Sequence, residues 1–351
     1  MIETKLKYKK QLVTLASLLF MLAMIANPGE IISSAKAALE LCVSSLVPSI
    51  FPFMVASSVF INYSSQDSFK ALAPFLKLLF GTSPCAAAAI IPGMICGYPV
   101  GASCACQLYK NNMISKSEAE SLIAFSNNSG PLFIIGAVGT GILHCTKAGI
   151  MLYIIHIVSA IICGILLKPF TRSDKNAIRI NLNTSSKNFT DCVSDSTLTI
   201  LKICGFVVIF AVINRLLSPA VDLLPNHFKC IAAGFLELTN ASSIINENII
   251  ETKTKLILLS GALGWSGMSV HMQVKSIISS SDLSMKKYYA TRLCSCVISM
   301  TISYFIFENP TLDKNTLNIH SADIMLVISA ILLTACALWT LIAKNIKNPS
   351  R

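Results

Sequence analysis

Charge is what this sequence has least of. Only 13% of its 351 residues are Asp, Glu, Lys or Arg, about half the share that a soluble chain spreads over its surface, which excludes an ordinary water-soluble domain. The signatures of common enzyme chemistry are missing too: there is no H-E-x-x-H, no G-x-S-x-G and no G-x-x-x-x-G-K. The 13 cysteines are scattered through apolar segments, and neither C-A-C (Cys104, Cys106) nor C-S-C (Cys294, Cys296) has a second pair at zinc-site spacing. They read as small buried hydrophobes. An enzyme, a metal site and a cofactor are therefore not expected.

What is present is hydrocarbon. Hydrophobic residues make up 54% of the chain and the mean hydropathy is +0.67. Blocks such as QLVTLASLLFMLAMIAN, AGIMLYIIHIVSAIICGILL and SADIMLVISAILLTACALWTLIA approach the ~20 residues needed to cross a lipid bilayer. The expected class is an all-α polytopic membrane protein. The net charge of +11 does not indicate nucleic-acid binding, because the cations sit at segment ends rather than in a patch interleaved with aromatics. They are Lys5, Lys7, Lys9 and Lys10, then Lys168, Arg172, Lys175, Arg179 and Lys187, then Lys344, Lys347 and Arg351. By the positive-inside rule the N-terminus, the central loop and the C-terminus face the cytoplasm. The first block ends in MLAMIANPGE, without a small-x-small cleavage site, and reads as a retained helix.

The polar stretch KPFTRSDKNAIRINLNTSSKNFTD has no apolar periodicity and divides the chain into similar halves. The expected organisation is an N-terminal transmembrane helix (1–30), a first membrane repeat (31–167), a polar cytoplasmic linker (168–195), a second repeat (196–343) and a basic tail (344–351). Whether 31–47 and 70–80 cross the membrane or lie in its interface stays open. A faint echo links PGMICGYPVGASCACQLYKNNMISKSEAE in the first half with SGALGWSGMSVHMQVKSIISSSDLSMKKYY in the second. Paired interrupted segments at corresponding positions point to a transporter binding site.

Inside hydrocarbon an unpaired backbone N–H or C=O costs several kcal/mol, so a helix break survives only where protein or a watery cavity satisfies it. In IIPGMICGYPVGAS, Pro92 and Pro99 cannot donate to a helix ladder, and Gly93, Gly97 and Gly101 let the chain turn or another backbone approach. Two short helical arms meeting at a tip are expected, with Gly97, Tyr98, Pro99 and Gly101 as substrate-binding candidates. In AFSNNSGPLFIIG, Pro131 disfavours helix at Gly130, leaving Ser126, Asn127, Asn128 and Ser129 to cap helix ends or face a solute. N–H groups at such a half-helix N-terminus suit a carboxylate or phosphate oxygen; the alternative is a kink that shapes packing.

In the second half, FLELTN carries Glu237 with Asn240 three residues on and on the same helical face. A mid-membrane carboxyl pairs or binds a proton or cation, which makes Glu237 the coupling-ion candidate, unless it lies at the interface. GWSGMSVHMQ offers Ser266, Ser269 and Gln273 as further binding candidates, and His271 as a proton carrier or a hydrogen-bonded packing residue. His144 and His156 read as structural. Arg215 either meets an anionic solute or snorkels to the interface.

VPSIFPF, GYPVGA, AFSNNSGPLFIIGAVGTG, FLELTN and MSVHMQV, in that order across roughly 40–305, resemble the sporulation integral membrane protein YlbJ family. That family is grouped with the nucleoside-recognition or Gate proteins, whose fold is similar to that of concentrative nucleoside transporters. The resemblance implies two inverted-topology repeats with re-entrant helical hairpins and broken transmembrane helices. It also implies a transporter of a small anionic solute, dipicolinic acid, moved from the mother cell across the outer forespore membrane. A nucleoside or other small-solute carrier, and a non-transporting spore-envelope assembly protein, are the alternatives. Asn240, Trp265 and Ser266 stand where the family pattern has more glycine, and Trp265 would narrow the pocket.

Overall fold

The computed structural model describes residues 2–63, 66–173 and 188–307, and every regular element among them is a helix. The apolar block at 321–343, the tail at 344–351 and linker residues 174–187 lie outside the described residues.

Helix α1 (Ile2–Ala26) meets α2 (Pro28–Leu41) at a bend of 98°. Pro28 opens α2 at its first position, where a missing N–H costs nothing, and that same missing N–H stops α1 from continuing. Helix α2 passes through a π-helical turn, Cys42–Leu46, into α3 (Val47–Tyr63). Pro48 has no N–H for the carbonyl of Ser44, so the ladder widens just ahead of it. The pair α2–α3 lies antiparallel beside a 34-residue helix after the linker, Phe189–Asp222, which is long and apolar enough to cross a membrane. Contacts along its length fix that direction: Ser34 Oγ donates to Ala211 O at 3.1 Å, Asn62 Nδ2 lies 3.4 Å from Cys192 Sγ, and Arg215 Nε reaches Glu30 at 2.8 Å. Residues 31–47 thus run alongside this long apolar helix. Arg215 pairs with Glu30 at an exposed position. Helix α4 (Ala73–Leu79) is only about 10 Å long at 1.5 Å per residue, too short to cross by itself, and its segment meets the next at 94°.

The remaining helices repeat one order. In the first half α5 (Ala87–Ile95) and α6 (Val100–Lys110) pack side by side as a hairpin. Next come α7 (Lys116–Ser126), a break, and a π-helical arm (Leu132–Ile142), followed by the unbroken α8 (Thr146–Leu167). In the second half, after α9 (Phe189–Asp222), α10 (Asn226–Leu236) and α11 (Leu238–Glu247) form the hairpin. Helices α12 (Thr252–Trp265) and α13 (Gly267–Ile278) form the broken passage, and α14 (Lys286–Ile306) is unbroken. The structure therefore sets the repeat in a different register from the echo read in the sequence. The Gly97 turn corresponds to Leu236–Leu238, and 127–131 corresponds to the Ser266–Gly267 break.

The halves interlock. One apolar core holds α5, α6 and α7 together with Val270, Val274 and Ile278 of α13. The other holds α10, α11, α12 and α14 together with Ile134 and Val138 of the first half's π-helical arm. Each hairpin is thus packed by the far arm of the other half's broken helix. Small residues bring backbones close, as in other membrane bundles where apolar burial alone gives helices no preference for one another over lipid. A Cβ on Gly264 of α12 would lie 2.7 Å from the backbone of Cys296 in α14.

Candidate functional site

Each break is closed by the hairpin of its own half. Helix α7 ends at Ser126, and residues 127–130 are non-helical and almost fully buried. Their polar groups are met from three sides. Asn127 Oδ1 accepts from Ala102 N–H of α6 at 3.3 Å, Asn128 N–H donates to Gly93 O of α5 at 3.3 Å, and Ser129 N–H donates to His156 Nε2 of α8 at 3.0 Å. Asn128 Nδ2 caps α7 through Phe125 O at 2.8 Å, and Ser126 Oγ returns to Leu122 O at 2.8 Å. Gly97, with φ +88°, turns the hairpin tip against Gly130, where a Cβ would lie 3.0 Å from Gly130 N. Pro99 then starts α6.

The second half uses the same plan with different residues. Ser266 (φ 79°) and Gly267 (φ 76°) are both left-handed, and Gly267 abuts the backbone of Glu237, which is the extended residue at the second hairpin tip. The Glu237 carboxylate accepts from Thr239 N–H at 2.9 Å and so caps the start of α11. Trp265 stacks on Phe235 at 5.5 Å and donates from Nε1 to its carbonyl at 3.1 Å. His271 Nε2 donates to Trp265 O at 2.9 Å across the break, and its ring packs between Trp265 (4.3 Å) and Tyr288 (5.2 Å).

The two halves meet at Tyr98 and Arg292. Tyr98 Oη donates to Ser266 Oγ at 2.8 Å and lies 3.2 Å from Leu263 O, tying the first tip to the second break. Arg292, on α14, is 0% exposed. Its Nη2 donates to Ala124 O at 2.8 Å and reaches Asn128 Oδ1 at 3.4 Å, while Nη1 reaches Ser266 Oγ at 3.4 Å. The guanidinium lies over the Tyr288 ring, 5.5 Å from its centre. One cation thus touches both breaks.

Of the residues singled out in the sequence, Tyr98, Ser126, Asn127, Asn128, Ser129 and Ser266 gather here, with Gly97, Pro99 and Gly101 shaping the adjoining backbone. Glu237 and His271 stand around the second break. Ser269 and Gln273 are buried and bond to each other at 3.4 Å along α13. Asn240 lies in α11, but its side chain is outside the described part. Arg292 was not among the sequence-predicted residues. Its signal is a lone cation several residues inside the apolar block YYATRLCSCVISMTISYF, which costs about 2.5–3.5 kcal/mol on insertion scales and so points to function.

Broken and hairpin helices meeting at a buried polar centre define an all-α polytopic membrane protein. The chain is similar to the sporulation integral membrane protein YlbJ of Bacillus subtilis (strain 168), with 28% identity over 323 residues, covering 81% of this chain and 79% of that protein. That relative is named as an integral membrane protein of sporulation. No family profile matches the chain, and no solved structure matches it.

Proposed function

We propose that this chain is a transporter that moves a small anionic solute across a membrane during sporulation. Dipicolinic acid, carried from the mother cell across the outer forespore membrane, is the solute we assign. The observation that carries the reading is the buried centre itself, where the first hairpin tip bonds the second half's break through Tyr98 and Ser266. A kink serving packing alone does not need four consecutive polar side chains, each almost fully buried at 126–129. The repeated hairpin, break and helix order supports two inverted repeats of the Gate type, rocking against each other around the centre. The basic residues at the N-terminus, within the linker and at the C-terminus support a cytoplasmic placement of all three. Glu237 and His271, at the second break, are the coupling-ion candidates.

The test is uptake of labelled dipicolinate into proteoliposomes holding the purified chain, with and without a pH gradient. Saturable uptake that falls in Asn128→Ala at equal protein abundance is expected. Competition by nucleosides instead of dicarboxylates would reassign the solute. Transport of neither by folded protein would leave an assembly role in the spore envelope.

A further inference from the structure

We propose that Arg292 is the residue that binds a carboxylate of the transported solute; this rests on the transporter reading above. A buried guanidinium is costly unless it is paired. Among the described residues no Asp or Glu pairs with Arg292: its contacts are the neutral oxygens of Ala124, Asn128 and Ser266. A missing counter-charge at the junction of two helix breaks is a place for a ligand to supply one.

The surrounding chemistry is rich in donors. Arg292 Nε is buried without a partner. Asn127 spends its oxygen on Ala102 N–H, and its Nδ2 is buried without a partner. His156 accepts Ser129 N–H at Nε2, so its proton sits on Nδ1, which is also buried without a partner. The Tyr288 hydroxyl is a fourth such group, beside Asn127 but outside bonding geometry. A carboxylate is an acceptor with about four lone-pair sites and nothing to donate, which is what this cluster lacks. A neutral sugar or base, which brings donors of its own, matches it poorly.

Arg292 also has the geometry for the task. Its guanidinium lies over the Tyr288 ring, 5.5 Å from the centre, and the unpartnered Nε with a neighbouring Nη makes the fork that a bidentate carboxylate takes. The contacts to Asn128 and Ser266, both 3.4 Å, are long ones. Charge-assisted bonds of about 2.7–2.9 Å to a carboxylate replace them at a gain. Because Arg292 is closed to solvent here, entry of the anion requires α7 and α12 to part at their breaks. Binding and opening are then one event.

The experiment uses the full chain, purified in lipid nanodiscs. Binding of pyridine-2,6-dicarboxylate, pyridine-2-carboxylate and the uncharged pyridine-2,6-dicarboxamide is measured for wild type, Arg292→Lys and Arg292→Gln. The expected result is carboxylate binding by wild type, none by the diamide, and a loss of about thirtyfold or more in Arg292→Gln, with Arg292→Lys in between. Binding of the diamide as tight as that of the dicarboxylate overturns the proposal using wild type alone, so it stands or falls even if Arg292→Gln does not fold. Wild-type affinity in a folded Arg292→Gln overturns it too, as does failure of wild type to bind either carboxylate. Arg292-dependent binding without uptake in proteoliposomes would sink the transporter reading and keep the site; uptake unaffected in Arg292→Gln would do the reverse.

Discussion

His156 shows how much a single side chain can carry at this centre. It is the acceptor for Ser129 N–H inside a non-helical stretch, and a buried donor left without a partner costs about 1–3 kcal/mol. His156→Ala is therefore expected to lower the thermal stability of the purified protein by about that amount. His156→Gln, whose amide oxygen can accept in place of Nε2, should recover part of it; equal losses in the two variants would show that the ring's volume matters and its acceptor does not. Tyr98→Phe removes only a hydroxyl, yet that hydroxyl bonds the first hairpin tip to the second break. Stability should fall by about 0.5–1.5 kcal/mol, whereas uptake should fall several-fold, and a variant that transports normally would remove Tyr98 from the mechanism.

At the scale of elements, the hairpins are held by backbone proximity more than by side-chain bonds. A Cβ on Gly101 would lie 2.4 Å from Ser126 O and 3.0 Å from Asn127 Cα, both backbone atoms that have no free rotor to turn away. Gly101→Ala should force α6 off α7, costing about 1–3 kcal/mol as overpacking does, and abolish uptake. Gly205→Ala in α9, where nothing lies within 4 Å, should be neutral or gain up to about 1 kcal/mol from helix propensity. A similar loss in both would show that close approach is not the cause.

The first hairpin and break were legible because Gly97, Pro99, Gly130 and Pro131 mark them in the sequence, whereas Pro92, read with them, stays inside α5. The second hairpin tip was not, since Leu236, Glu237 and Leu238 carry no breaker of their own. The chain turns there against Gly267, a contact supplied from another element. That is why the echo joined the Gly97 turn to the glycines around Trp265, two helices out of step. Arg292 went unnoticed for a related reason: Lys286 and Lys287 lie a few residues ahead of it, and beside them it does not stand out in the sequence. Only tertiary packing distinguishes them, with Arg292 fully buried between two breaks.

Over the whole molecule, the linker end is clasped by polar bonds between the halves. Lys116 Nζ meets Asp282 at 2.8 Å, Tyr109 Oη donates to Asp282 at 2.8 Å, and Lys110 Nζ donates to Ser280 Oγ at 2.7 Å. Ser284 N–H donates to Glu120 at 3.0 Å, and Lys287 donates to Phe170 O at 2.9 Å. The Lys116 and Tyr109 hydrogen bonds hold the Asp282 carboxyl below its ordinary pKa. A carboxyl depressed in the folded state contributes in full above its unfolded pKa, and the contribution is lost as pH falls through the folded value. The stability gap between wild type and Asp282→Asn should thus be open at neutral pH and close in acid below the usual carboxylate range. A gap that persists there would assign the effect to something other than the carboxylate's charge. Because each hairpin core borrows an arm from the other half, fragments cut within 174–187 should accumulate only when co-expressed, and a half that is stable alone would contradict the interlock.

The solitary guanidinium of Arg292 has an electrical consequence. With no solute bound to it, the positive charge of Arg292 responds to membrane voltage whenever its position in the field changes, by up to about 2.3 kcal/mol per 100 mV for a full crossing. Once a monocarboxylate is seated the centre is neutral, and with a dicarboxylate it is negative. The voltage dependence of the carrier should then reverse sign between its empty and dicarboxylate-loaded forms, so that the membrane potential sets which of the two turns over faster.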